Sequence, residues 1–318
     1  MFYILYLVVA ALVVWLAIKA SNYIDMIDRK TKLSGAFLGG VLLSAITSLP
    51  ELFTSISATL LIHKPSLCIG NILGSNLFNL LILATMILLF FKSSLNAKLS
   101  KSHRIVILYL LVCYLFMGLG LIVPKIFDYH ILTIGITSIA IAVFYFLGVR
   151  HLAGESSSTD ETEKADDSSL SLRTIVVRFI LSSVGLVGLS IAMTFLTDRI
   201  ATDLGLGASL AGALFLGIAT SLPELSSTIT LFRIKNYDIA TGNIVGSCLF
   251  NMIILTVADL LWTKGTIYDY SDPKNIVLLG FCTIAALFAL PMIRTQKPWI
   301  KAVAAVGIIG CYVAFLAI

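Results

Sequence analysis

Charged side chains are scarce in this sequence. Lys, Arg, Asp and Glu make up 12% of its 318 residues, about half the share that is usual in soluble domains, whereas hydrophobic residues make up 58%. A water-soluble fold is therefore the wrong starting point. The sequence also lacks the segments of about 10 residues with strictly alternating polarity that a membrane β-barrel needs. We therefore predict an all-α integral membrane protein.

Cysteine is too sparse and too irregularly placed to support a disulfide framework or a zinc site. No Cys-x-x-Cys spacing occurs, and every cysteine lies in an apolar stretch. We therefore predict buried free thiols and no cofactor. The five residues are Cys68, Cys113, Cys248, Cys282 and Cys311.

Long apolar stretches recur along the whole chain, and each can cross about 30 Å of hydrocarbon as a helix. The first lacks a basic leader and a small-residue cleavage site, so we expect it to remain as a span. The lipid bilayer is the expected surrounding. We predict about ten transmembrane helices, near residues 2–18, 34–61, 67–91, 105–123, 130–148, 174–197, 206–232, 239–262, 275–293 and 299–317.

Basic residues are concentrated in alternate loops. Fifteen Lys and Arg residues fall in the loops of one side and five in the loops of the other. The positive-inside rule places the richer side in the cytoplasm and both termini outside, as in a multi-pass protein of the plasma membrane. The net charge of +5 has the same explanation, so no nucleic-acid partner is implied.

Two related motifs occur twice. Residues 47–52 and 220–225 both read TSLPEL, and GNILGSNLFN at 70–79 corresponds to GNIVGSCLFN at 242–251. We therefore predict a duplicated unit, with a first five-helix repeat at 1–150, an acidic cytoplasmic linker at 151–172 and a second repeat at 173–318. Because each unit has an odd number of spans, the second copy is expected to be inverted in the bilayer.

The inverted arrangement brings two acidic residues to similar depth. Glu51 and Glu224 each lie a little past the middle of an apolar stretch, where a charge costs about 2.5–3.5 kcal/mol, and no basic residue is near in sequence. Pro50 and Pro223 precede them and should break their helices. Exposed carbonyls at such breaks can bind cations when they line a cavity.

The residues around these glutamates offer oxygen ligands. Thr47, Ser48, Thr220 and Ser221 lie one turn from the carboxylates, and neighbouring spans can add Ser75, Ser247, Asn79 and Asn251. Such hard ligands suit Ca²⁺ and Na⁺, not zinc or copper. We predict one cation site built from Glu51, Glu224 and these eight residues.

The paired TSLPEL and GNxxGSxxxN motifs resemble the α-repeats of the sodium/calcium exchanger family, within the cation/calcium antiporters. The resemblance covers both halves and implies ten helices in inverted five-helix repeats, with spans 1 and 6 sliding to alternate access. It implies that Glu51 and Glu224 are the principal calcium ligands. The calcium and sodium sites would be completed by Thr47, Thr220, Ser48, Ser221, Ser75, Ser247 and Asn79.

The sequence departs from the family pattern at two places. Asn251 stands where many sodium/calcium exchangers have Asp, and the glycine that usually precedes TSLPE is Ile46 in the first copy and Ala219 in the second. Only two carboxylates remain, so charge balance does not fix three sodium ions per cycle.

We expect secondary antiport of Ca²⁺ against Na⁺, without enzymatic activity. H⁺/Ca²⁺ exchange and K⁺-dependent Na⁺/Ca²⁺ exchange stay open, as do a passive cation channel and, more remotely, an intramembrane hydrolase that would use the paired glutamates as acid and base. The oligomeric state is not readable from the sequence.

Overall fold

The computed structural model describes residues 2–31, 41, 43–95, 97, 99–122, 130–131, 134–154 and 170–317. Most of the predicted acidic linker, at 155–169, and the start of the second predicted span, at 34–40, lie outside the described residues.

Helices make up almost all of the described chain, which also contains a pair of two-residue antiparallel strands, β1 (His130–Ile131) and β2 (Ile134–Gly135). A π-helical turn spans Gly212–Leu216, and a 3₁₀ turn spans Ile267–Tyr270. In chain order the helices are α1 (Phe2–Thr31), α2 (Ser44–Thr47), α3 (Leu49–Leu60), α4 (Pro65–Leu89), α5 (Phe91–Ser94), α6 (Lys101–Ile122), α7 (Ile136–Gly154), α8 (Leu172–Leu204), α9 (Ala208–Ala211), α10 (Gly217–Thr220), α11 (Leu222–Arg233), α12 (Tyr237–Leu261), α13 (Pro273–Arg294) and α14 (Pro298–Leu316).

Six of the described helices are long and apolar enough to cross a membrane: α4, α6, α8, α12, α13 and α14. The segment Ala208–Thr220 followed by α11 would be a seventh span, bent by 42°. Large apolar side chains cover the outside, as at Ile4 and Leu89, which are 71% and 72% exposed. Lipid is the natural surrounding for such a surface, and the chain is a multi-pass membrane protein.

The two most buried spans, α4 and α12, lie at the centre of the fold. In each helix, 72% of the most apolar stretch of 18 residues is buried within the protein. These helices are 25 residues long and contact each other directly. All five cysteines are buried free thiols, as predicted.

Helix bounds recur between the two halves. Helix α12 begins and ends 172 residues after α4, and α13 does so after α6. Helix α11 follows α3 at an offset of 173 residues. The duplicated motifs therefore occupy helices of equal length and order.

The break predicted at each proline lies two residues before it. Helix α2 ends at Thr47 and α10 at Thr220, and the next residues, Ser48 and Ser221, have nearly the same backbone (φ −88°, ψ 10° and φ −88°, ψ 5°). Each proline is then the second residue of a new helix. Proline is tolerated there because the first turn of a helix needs no N–H donor from it.

Candidate cation site

Each of the two glutamates accepts a hydrogen bond from a serine of the other half of the chain. Ser48 Oγ donates to Glu224 Oε1 at 3.0 Å, and Ser221 Oγ donates to Glu51 Oε1 at 3.1 Å. All four side chains are fully buried. The carboxylates are also close enough for their charges to interact. The helix breaks therefore place both acidic groups in one interior region.

The second oxygen of each carboxylate is unsatisfied. Oε2 of Glu51 and Oε2 of Glu224 are buried and have no hydrogen-bond partner in the part of the chain that the structure describes. The ion pairs found within that part involve neither glutamate. An unpaired carboxylate oxygen away from water is costly, by several kcal/mol in proteins. This cost would be offset by a cation between the two groups.

Further hydroxyl groups lie beside the carboxylates. Thr47 and Ser247 lie next to Glu224, and Thr220 lies next to Glu51. Thr47 Oγ1 and Ser247 Oγ are 3.4 Å apart. These predicted site residues are therefore brought together, with the second-half serine on α12 meeting the first-half threonine on α2.

The serines of the second motif bond to the carbonyls of the broken helices. Ser75 Oγ donates to Gly217 O at 3.3 Å, and Ser247 Oγ donates to Ser44 O at 3.5 Å. The two contacts occupy equivalent positions in the two halves. The Ser75 hydroxyl thus lies beside the carbonyl one turn before Ser221, and within the described residues it donates to this carbonyl rather than to a carboxylate.

The two asparagines of the second motif differ in their partners. Both amide atoms of Asn79 are buried and have no partner among the described residues. In Asn251 only Oδ1 lacks a partner, because Nδ2 donates to Asn76 Oδ1 at 2.9 Å. Cys248 is within interaction range of both Glu224 and Asn79.

Two asparagines that support the site were missed in the sequence. Asn71 Nδ2 donates to Thr54 Oγ1 at 3.0 Å and Ser55 Oγ at 2.9 Å, which ties α4 to α3 just beyond Glu51. Its signal was available, since asparagine is the second residue of both GNxxGS motifs. Asn76 had no such signal, because its counterpart is Cys248.

This arrangement can coordinate hard cations. Its donors are carboxylate, hydroxyl, amide and main-chain oxygens, the ligand types of Ca²⁺ and Na⁺. No group of three or more His, Cys, Asp or Glu side chains is found within the described ranges, so neutral oxygens would supply most of the coordination. Fold and site together define a multi-pass membrane protein with a buried acidic oxygen cluster in its interior.

The protein belongs to the sodium/calcium exchanger protein family, whose profile matches residues 1–151 and 174–318. This confirms the resemblance carried by the two repeated motifs. Members of the family are transporters, with which the prediction of a non-enzyme agrees.

The relatives match the chain over most of its length. It is 28% identical over 263 residues to the inner membrane protein YrbG of Escherichia coli (strain K12), an alignment that covers 80% of this chain and 77% of YrbG. The sodium-calcium exchanger NCX_Mj superposes with a TM-score of 0.66 at 20% identity, covering 99% of this chain and 98% of the other. The H⁺/Ca²⁺ exchanger CAX superposes with a TM-score of 0.74 at 16% identity, covering 98% and 80%. The two structures share the fold of this chain.

Proposed function

We propose that the protein exchanges Ca²⁺ for Na⁺ across the membrane by alternating access, with both ions using one site between Glu51 and Glu224. The observation that carries the proposal is a set of four buried oxygens without a donor in the described part of the chain: Oε2 of Glu51, Oε2 of Glu224, and Oδ1 of Asn79 and of Asn251. Buried acceptors are rarely left unpaired. A transported cation is the partner that would satisfy all four.

The proposed ligand set is that of the sequence prediction. Glu51 and Glu224 would supply the charge, and eight neutral residues would supply the remaining oxygens: Thr47, Thr220, Ser48, Ser221, Asn79, Asn251, Ser75 and Ser247. One Ca²⁺ would neutralise the two carboxylates. Sodium ions would compete for the same oxygens, which is what coupled exchange on a shared site requires.

The proposal includes ten spans in two inverted repeats, 1–150 and 173–318, joined by the acidic segment 151–172. Six long helices and the bent pair give seven spans, and the shorter apolar helices Phe2–Leu16 and Ile136–His151 would bring the count to nine. The tenth would be the span that contains Ser44–Leu60. With basic loops inside, both termini would lie outside the plasma membrane.

Alternating access would come from α1 and α8. These two helices pack along each other, and both contact helices that adjoin the breaks. Only 22% of the most apolar window of α8 is buried within the protein, so little packing opposes its movement. Sliding of this pair past the central helices would expose the site to one side of the membrane at a time.

Coupled flux tests the proposal. We expect purified protein in Na⁺-loaded vesicles to take up ⁴⁵Ca²⁺ when diluted into Na⁺-free buffer, and to lose this uptake in both Glu51→Gln and Glu224→Gln. Thr230→Ala is the matched control, because in the described part of the chain this exposed hydroxyl on α11 donates to the Ser226 carbonyl of its own helix and to no other group. Ca²⁺ uptake that ignores the imposed gradients, or a Ca²⁺ leak that does not saturate and is not coupled to counter-ion movement, would rule out Na⁺-coupled exchange.

H⁺/Ca²⁺ exchange is the second candidate, favoured by the two buried carboxylates without a basic partner in the described residues. Such groups can carry protons in place of Na⁺. In that case Ca²⁺ uptake is driven by an outward H⁺ gradient, in vesicles that are more acidic inside than outside, and is unchanged by a Na⁺ gradient. A parallel arm with K⁺ added outside together with ⁴⁵Ca²⁺ distinguishes K⁺-dependent Na⁺/Ca²⁺ exchange from both, because K⁺ would then enter with Ca²⁺.

A further inference from the structure

A chain of amide hydrogen bonds leads to Asn251. Asn76 Nδ2 donates to the main-chain carbonyl of Cys248 at 3.2 Å and to Tyr114 OH at 3.0 Å. Asn76 Oδ1 in turn accepts from Asn251 Nδ2 at 2.9 Å. Asn76 and Asn251 are both fully buried.

The main-chain carbonyl of Cys248 determines the orientation of both side-chain amides, those of Asn76 and Asn251. A carbonyl oxygen only accepts, so the Asn76 atom that faces it must be the amide nitrogen. The other end of the Asn76 amide is then an acceptor, and Asn251 must present its nitrogen to it. Oδ1 of Asn251 is therefore fixed at the opposite end of its amide, away from Asn76, where it has no partner among the described residues.

Among the described residues of the first half, no equivalent chain of amide hydrogen bonds is found. Asn79 corresponds to Asn251, and the residue that corresponds to Asn76 is Cys248. The Cys248 thiol donates to the main-chain carbonyl of Asn76 at 3.8 Å. Within the described residues, Asn79 has no hydrogen-bond partner at either amide atom. The Asn251 amide is thus held in a single orientation, whereas no hydrogen bond among the described residues fixes the Asn79 amide.

We propose that Asn76 is a positioning residue that presents the neutral Oδ1 of Asn251 to the transported cation and prevents an ionised carboxylate from taking that position. The proposal rests on the proposed function, because it assigns Asn251 to the same cation site. An ionised carboxylate at residue 251 would set an acceptor against Asn76 Oδ1. Turning the Asn76 amide to relieve this would set its oxygen against the Cys248 carbonyl. The site therefore accommodates two charged ligands and one oriented neutral one.

Kinetics of Ca²⁺ uptake in reconstituted vesicles test the positioning role. We expect Asn76→Ala to raise KM for Ca²⁺ roughly 3- to 10-fold, since Asn251 is no longer held by a hydrogen bond of ordinary strength, while kcat changes less than about 2-fold. Tyr114→Phe is the matched control. It removes one acceptor from Asn76 but leaves the Cys248 carbonyl, so we expect KM within about 2-fold of wild type.

The pH profile of Asn251→Asp separates positioning from a merely structural role. When protonated, the introduced carboxyl group can donate to Asn76 Oδ1 as the amide does, so uptake should resemble wild type at low pH and change as pH rises. In the double variant Asn251→Asp/Asn76→Ala the opposing acceptor is gone. We expect the pH midpoint of this change to fall by about 1 pH unit or more in the double variant.

The results discriminate as follows. An unchanged KM in folded Asn76→Ala, or the same pH midpoint in the single and double Asp variants, overturns the inference while leaving the proposed function intact. Wild-type protein that moves no ⁴⁵Ca²⁺ under Na⁺, H⁺ or K⁺ gradients overturns both. Should Asn76→Ala fail to fold, the comparison of wild type with Asn251→Asp still decides, because an Asn251→Asp variant with the same pH profile as wild type contradicts the proposed opposition of acceptors.

Discussion

Ser221 Oγ lies 3.1 Å from Glu51 Oε1, so a residue of the second half of the chain holds the acidic group of the first. The reciprocal pair, Ser48 and Glu224, has nearly the same distance, 3.0 Å. Each half therefore supplies a hydrogen-bond donor to the other's carboxylate, and we expect that neither half could form the proposed site alone.

Removing either serine should weaken Ca²⁺ binding to a similar extent. A hydrogen bond to a charged group contributes about 1.5–3 kcal/mol, and part of this is retained when a neighbouring hydroxyl moves in. We therefore expect Ser48→Ala and Ser221→Ala each to raise KM for Ca²⁺ uptake about 10-fold, with values within about 3-fold of each other. Thr230→Ala again serves as the unaffected control. A large effect from one serine and none from the other would contradict a site shared equally by the halves.

The buried carboxylate of Asp259 should behave differently from the two glutamates. Its Oδ1 accepts from Thr266 Oγ1 and Ile267 N, both at 2.9 Å, and its Oδ2 accepts from Gly135 N at 3.0 Å. Both oxygens are thus satisfied by groups that join β2 and the 3₁₀ turn to the end of α12, and no cation is needed.

We expect Asp259→Asn to lower thermal stability while exchange continues. The amide nitrogen introduced on one side would face donors, which costs about 1–3 kcal/mol, equivalent to a few degrees in Tm for a protein of this size. Glu51→Gln should show the reverse, with little loss of Tm and no Na⁺-driven uptake. Thermal unfolding in detergent together with vesicle flux measures both. Loss of exchange in well-folded Asp259→Asn would assign this residue to transport instead.

Hydropathy located the central helices closely but not the ends of the peripheral ones. Helix α4 was predicted at 67–91 and spans Pro65–Leu89, whereas α8 was predicted at 174–197 and continues to Leu204. Apolar runs mark the thickness of the hydrocarbon, and a helix can extend beyond it into water with polar residues such as Asp198 and Arg199. The same reason explains why α1 continues past the predicted end at 18 to Thr31.

The pairing of the glutamates could be predicted, but their partners could not. The predicted inversion of a repeat with an odd number of spans was enough to expect Glu51 and Glu224 in one region. Ser48 and Glu51, three residues apart, would share one face of a continuous helix, so the sequence favoured contacts within one half. The break at Ser48 ends that helix, and the serine turns to Glu224 instead. The orientation of Asn251 was equally hidden, because it depends on the Cys248 carbonyl, a main-chain atom without a sequence signal.

Gly74 should not tolerate any side chain. A Cβ atom there would lie 2.4 Å from Ala213 Cα in the π-helical turn, and main-chain neighbours cannot move aside as a flexible side chain does. Overpacking of this kind costs typically about 1–3 kcal/mol. We expect Gly74→Ala to reduce Tm by several degrees and to impair uptake, since the displaced segment leads directly to Ser221.

Gly280→Ala is the matched control for Gly74→Ala. A Cβ atom at Gly280, inside α13, meets nothing within 4 Å, and alanine is the better helix former by about 1 kcal/mol. This variant should be as stable as wild type or slightly more so. Equal melting temperatures for the two glycine variants would mean that α4 and the π-helical turn are not in close contact.

Two equivalent contacts join the halves of the chain. One is formed by an ionisable pair of side chains and the other by a neutral pair. Asp238 Oδ1 accepts from His103 Nε2 at 2.9 Å and from Ser100 N at 2.6 Å, which joins α12 to the start of α6. At positions offset by 172 residues, Ser66 Oγ accepts from Asn275 Nδ2 at 3.0 Å and from Asp272 N at 2.9 Å. Equivalent hydrogen bonds between the halves are thus made by different side chains.

The neutral pair should be able to replace the ionisable pair His103–Asp238. Asp238→Ala leaves two donors without their acceptor, and we expect it to lower Tm by about 3–6 °C, from a loss of about 1–3 kcal/mol. The double variant His103→Asn/Asp238→Ser copies the Ser66–Asn275 pair and should recover at least half of that loss, as measured by thermal unfolding in detergent. A double variant no more stable than Asp238→Ala would show that the charge at residue 238, rather than its hydrogen-bonding geometry, holds α6 against α12.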